Sequence, residues 1–144
     1  MTRWSIQGLF SFLVLVAAAA GCAPTPGVSG APGTTAYVQH LAADQVDTWR
    51  GVHYDGLILD VRSTAEWEDD LNHLDNAMQA PVETLESRLQ EFDRYRNGTV
   101  LVYDRTGANS TRAAQILVTH EFRDVSVIDG GLKAYRDWQK AAHP

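Results

Sequence analysis

The run Thr99-Val100-Leu101-Val102-Tyr103-Asp104-Arg105-Thr106-Gly107-Ala108-Asn109-Ser110 constrains the fold more than any other part of the chain. Val100 to Tyr103 are apolar or aromatic, follow the turn residues Asn97-Gly98, and predict a short buried strand. Gly107 breaks that run, and from Ser110 the spacing of Ala113, Ile116, Leu117 and His120 is helical. Strand, tight loop and helix in that order present backbone N–H groups at a helix N-terminus, a ready-made cradle for an anion. Here the first loop residue is itself an anion, Asp104, and that governs the functional reading.

The 144 residues suffice for one domain, and 44% hydrophobic residues are enough to build its core. The formal net charge is −6 with no basic stripe, which argues against nucleic acid as a partner. Cys22 is the single cysteine, so no internal disulfide forms and the region that follows it carries no thiol.

Met1 to Gly21 reads as an export signal: Arg3, then the apolar run from Leu9 to Val16, then four alanines. The run is short for a membrane span, which needs about 20 residues. Its end, Ala19-Ala20-Gly21-Cys22, resembles a bacterial lipobox, which implies that Cys22 becomes the acylated first residue of the mature protein. Residues 22–36 comprise that cysteine and a stretch rich in Pro, Gly, Ser and Thr, expected to be a flexible tether to a domain over 37–144. The implied location is the cell envelope, with a membrane contact through the lipid. In a Gram-negative cell, Ala23 in place of an inner-membrane aspartate signal points to the outer membrane, facing the periplasm.

Within the domain, a strand is expected around Val38–Leu41, then a helix near Ala43–Trp49 stopped by Gly51. Leu57 to Arg62 predicts a second buried strand. A short helix over Ser63–Trp67 and a strand at Met78–Ala80 follow, with Pro81 as a stop. Val82, Leu85, Leu89 and Phe92 mark one face of an amphipathic helix. Val125–Ile128 is the last strand, and Leu132 and Tyr135 face inward from a closing helix.

The loop resembles the active loop of the rhodanese (sulfurtransferase) family, C-R-S-G-N-R followed by a helix-opening Ser. Aligned on Gly107, it reads Asp104, Arg105, Thr106, Gly107, Ala108, Asn109 and then Ser110. Asp60-Val61-Arg62 is similar to the family's D-V-R, Glu66-Trp67 to its E-[FYW] pair, and Gly130-Gly131 to its G-G turn. Leu71 to Ala77 stands where the family has G-H-I-P-G-A, retaining His73, the aliphatic Leu74 and Ala77. Glu121 occupies a place where the family has a helix-ending glycine. The resemblance implies an α/β rhodanese-like domain with a five-stranded, mostly parallel sheet and helices on both faces.

It also implies that the nucleophilic cysteine is replaced by Asp104 and the substrate-binding arginine by Asn109. A carboxylate carries no persulfide, so sulfurtransferase activity is at most residual, and the expectation is a chain that is not an enzyme. The binding loop is residues Asp104, Arg105, Thr106, Gly107, Ala108, Asn109 and Ser110, with Asp60 and Arg62 as nearby candidates. Its expected role is a binding or regulatory module for an envelope protein, a peptide or a small anionic ligand, with no cofactor. The alternative is metal-assisted phosphoryl transfer, because Asp104-Arg105-Thr106-Gly107 resembles the D-K-T-G motif of P-type ATPases. His40, His53, Asp55 and His73 have no spacing typical of a zinc site, and no metal is expected there.

Overall fold

A computed structural model describes residues 36–144. The leader, Cys22 and nearly all of the tether therefore lie outside the described residues. The elements are β1 (Tyr37–Leu41), α1 (Val46–Val52), β2 (Leu57–Asp60), α2 (Thr64–Trp67), β3 (Ala77–Gln79), α3 (Val82–Leu85), β4 (Thr99–Tyr103), α4 (Ala108–Thr119), β5 (Asp124–Ile128) and α5 (Gly131–Ala142). Short 3-10 segments precede α1 (Ala43–Gln45) and follow α3 (Glu86–Tyr95).

The five strands form one sheet in the order β1-β5-β4-β2-β3, and every adjacent pair is parallel. Parallel pairing requires a crossover between strands, and the helices that supply the crossovers cover both faces. Strand alternation divides the core accordingly. Leu57, Leu59, Val100, Val102, Val125 and Val127 pack with α3, α4 and the 3-10 segment between them. Ile58, Leu101, Tyr103 and Ile128 pack with Val46 and Trp49 of α1 and Leu132 and Tyr135 of α5. The expected fold class, sheet and two helical layers are all present.

Several local expectations differ. Gly51 does not stop α1, which continues to Val52 and closes with the His53 N–H bonded to the Trp49 carbonyl (2.9 Å). The turn is made instead by Gly56, whose N–H reaches the His53 carbonyl (2.9 Å). Arg62 lies beyond the end of β2, and β3 begins at Ala77 rather than Met78. The helix over residues 82–92 is α-helical only through Leu85. Leu89, Phe92 and Tyr95 recur every third residue, a spacing that suits the 3-10 geometry adopted there, and Leu89 and Phe92 remain buried. Glu121 takes the left-handed conformation that glycine would favour (φ +69°) after the end of α4. No helix among the described residues is long and apolar enough to cross a membrane.

Candidate functional site

The end of β4 delivers Asp104 to the C-terminal edge of the sheet, where ligands of open α/β sheets bind. Its side chain is 3% exposed. Gly107, in a left-handed turn (φ +102°), bends the chain so that α4 begins at Ala108, two residues earlier than the sequence spacing predicts. The bend folds the loop around the carboxylate. Asp104 Oδ1 accepts the Gly107 N–H (2.7 Å), and Oδ2 accepts those of Asn109 (3.2 Å) and, at the limit of hydrogen bonding, Thr106 (3.5 Å). Ser110 and Thr111 donate their hydroxyls to the Gly107 carbonyl (3.0 and 2.8 Å), which steadies the start of α4.

The loop is clamped from its other side by α5. Leu132 N–H donates to the Asp104 carbonyl (2.8 Å), and Lys133 N–H to the Arg105 carbonyl (3.1 Å). Gly131 makes this approach feasible, since a Cβ there would lie 2.5 Å from Thr106 N and 2.6 Å from Arg105 C, at a φ of +67°. Arg105 is partly exposed, and Thr106, Ala108 and Asn109 are exposed, so they form the rim of the seat.

Asp60 ends the neighbouring strand β2, Arg62 lies two residues beyond it, and both are joined to the loop through Asp69, which the local sequence pattern does not single out. Arg62 folds back on Asp60, with Nε 3.0 Å from both carboxylate oxygens and Nη2 2.7 Å from Oδ2. It also reaches Asp69 (3.1 Å) and the Asn72 carbonyl (2.8 Å). The second oxygen of Asp69 accepts Arg105 (2.9 Å), so one carboxylate bridges the buried guanidinium and the loop. The only sequence signal for Asp69 is its place in the acidic run Glu68-Asp69-Asp70. Burial opposes the Arg62 charge, but hydrogen bonding and attraction to Asp60, with Asp69 behind it, leave its pKa above the ordinary value. Burial, reinforced by Asp60, pushes the Tyr103 hydroxyl far above the usual phenol range. That neutral hydroxyl accepts the Leu74 N–H (3.0 Å).

The histidines do not gather at this site. His73 stacks on Trp67 (ring centroids 4.0 Å apart), His53 lies against Trp49 (4.7 Å), and His40 pairs with Asp129 (2.7 Å). Among the described residues no group of three His, Cys, Asp or Glu side chains is placed to hold a metal.

Comparison with known proteins identifies the fold. The rhodanese-like domain family matches residues 39–137. A tRNA uridine(34) hydroxylase of Pectobacterium carotovorum is 28% identical over 107 residues, which are 72% of this chain and 29% of that protein. The chain thus spans less than a third of that relative's length. Among solved structures, a Rhodopseudomonas palustris protein described as a possible tyrosine phosphatase superposes with a TM-score of 0.63 at 22% identity, covering 71% of this chain and 82% of that one. A rhodanese-like domain protein from Staphylococcus aureus gives 0.59 at 21%, covering 67% and 90%. At these identities the structures establish the fold.

One expectation is overturned here. The replacement of the loop cysteine by Asp104 implies a chain that is not an enzyme. A relative that matches 72% of this chain is described as a hydroxylase, which weighs against taking the chain for a non-enzyme. The match over residues 39–137 takes in all of the sheet except the first two residues of β1, and it makes the chain a member of the rhodanese-like domain family.

Proposed function

We propose that the Asp104 loop is a recognition site on a lipid-anchored domain of the cell envelope, with Cys22 carrying the lipid. The observation behind this reading is the hydrogen bonding of Asp104, which accepts N–H groups from the ring that a bound anion would use. A small anion must compete with that built-in carboxylate for the same donors. A peptide or protein segment can instead engage the rim, where Arg105, Thr106 and Asn109 offer a cation and polar side chains beside the filled seat. Asp104→Ala vacates the seat and should allow phosphate or thiosulfate to raise the melting temperature, whereas the wild type should not respond. Equal stabilisation of both proteins would overturn the reading.

A second reading is phosphoryl transfer with Asp104 as nucleophile; a relative described as a hydroxylase supports a catalytic role in general, and a structural neighbour described as a possible tyrosine phosphatase supports this chemistry. The carboxylate would attack phosphorus to form an acyl phosphate, the ester oxygen would leave with a proton, and water would then release phosphate and restore Asp104. Charge on the transferring group would meet Arg105 and the N–H ring. The Mg²⁺ usual in such chemistry finds no set of three protein ligands among the described residues. Hydrolysis of an aryl phosphate, assayed with and without Mg²⁺, decides between the two. Turnover that disappears in Asp104→Asn establishes the catalytic reading, and no turnover in either protein removes it.

A further inference from the structure

The two ends of the sheet expose different chemistry. Parallel pairing puts all five strand N-termini at one end and the Asp104 loop at the other. Among the described residues the exposed large hydrophobic side chains are Tyr37, Val52, Tyr54 and Met78. Tyr37 opens β1, while Val52 and Tyr54 lie at the end of α1 and the turn into β2, so three of the four share the N-terminal end. Tyr54 is 87% exposed and Val52 65%. Two clefts, of about 310 and 280 Å³, meet at His53 between them. Carboxylates occur at both ends: Asp69 and Asp70 face Arg105 and Asp129 follows β5 at the loop end, while Asp55 follows Tyr54 and the exposed Asp75 pairs with Arg50 beside the second cleft.

The chain enters the domain on the apolar end. Tyr37 N–H donates to the Arg123 carbonyl (3.3 Å), and the exposed Arg123 side chain forms no ion pair among the described residues. The 13 residues between Cys22 and Ala36 span at most about 45 Å, whatever their conformation.

We propose that this end is a lipid-facing surface. Tyr37, Val52 and Tyr54 enter the headgroup layer of the membrane that holds the acylated Cys22, Arg123 meets lipid phosphates, and the Asp104 loop faces away. Tyrosine suits that layer because its ring is apolar and its hydroxyl stays wet. The proposal rests on the lipid-anchor reading and says how the anchored domain sits.

The test uses the full chain, processed and acylated by the host, in vesicles of phosphatidylcholine and phosphatidylglycerol. Acylation blocks Cys22, so Asp55→Cys beside Tyr54, or Thr106→Cys on the loop, supplies the one reactive thiol for a fluorophore. Nitroxide-bearing lipids should quench the Asp55→Cys label several-fold more than the Thr106→Cys label. Adding Val52→Ser and Tyr54→Ser should remove the difference while leaving the thermal melt intact. Equal quenching at the two positions in the acylated chain overturns the surface alone. Shielding of the Asp55→Cys label without quenching means that another protein covers this end, and also overturns it. A Cys22 found unmodified by mass overturns the anchor and the surface together.

Discussion

Two aspartates close neighbouring strands, Asp60 at the end of β2 and Asp104 just after β4, and both are almost completely buried. They are neutralised by different means. Asp60 faces a full positive charge, the Arg62 guanidinium, which is itself 1% exposed. Asp104 faces only backbone N–H dipoles, arranged by the turn at Gly107 and the first turn of α4. A buried cation and anion depend on each other, because removing either strands the other away from water. A ring of N–H groups depends on the backbone alone and accepts any anionic group of suitable size. The end of β2 is therefore a lock, and the end of β4 is a seat.

The largest effect should come from breaking the lock. Arg62→Ala leaves Asp60 buried and unpaired, at a cost of about 3–5 kcal/mol, read as a lower urea midpoint at an unchanged slope. A loss below about 1 kcal/mol would mean that Asp60 takes up a proton or water in compensation. The seat should tolerate more. Asp104→Ala should cost about 1–3 kcal/mol, since the N–H groups lose their acceptor but gain access to solvent at the rim. Asp104→Cys sharpens the contrast, because the ring should favour the thiolate and lower the thiol pKa below its free value of about 8.5. Alkylation rate against pH measures this, and an ordinary thiol pKa in a folded protein would show that the ring depends on Asp104 itself. The smallest effect belongs to Asp69→Asn, which separates lock from seat. Arg62 keeps Asp60 and Arg105 is partly solvated, so the stability loss should stay under about 1 kcal/mol. Its signature should be faster proteolysis within the loop rather than a large shift of the melt.

Much of the site could be read from local pattern. The apolar runs Leu57–Leu59 and Val100–Tyr103 mark buried strands wherever they sit in a fold, and Gly107 marks the break between strand and helix. Asp104 was legible as the occupant of the loop for the same reason, since its place depends only on the residues next to it. Asp69 was not, because its role arises from two arginines, 7 and 36 residues away, that converge on one carboxylate. Exposure of Tyr37, Val52 and Tyr54 at one end was likewise invisible, since it depends on how α1 and β1 pack.

The order of the elements and the anion at the head of the loop follow from the sequence by itself, because hydrophobic period, chain breakers and residue charge are properties of short segments, whereas the parallel sheet was implied by the resemblance to the rhodanese family. Tertiary structure decided the rest. It carried α1 through Gly51, turned residues 86–95 into 3-10 geometry, and held Glu121 in a left-handed conformation. It also set α5 against the loop at a distance that only a glycine at position 131 permits. Each of these depends on which distant surfaces meet, and close packing, rather than local preference, selects the conformation that fits.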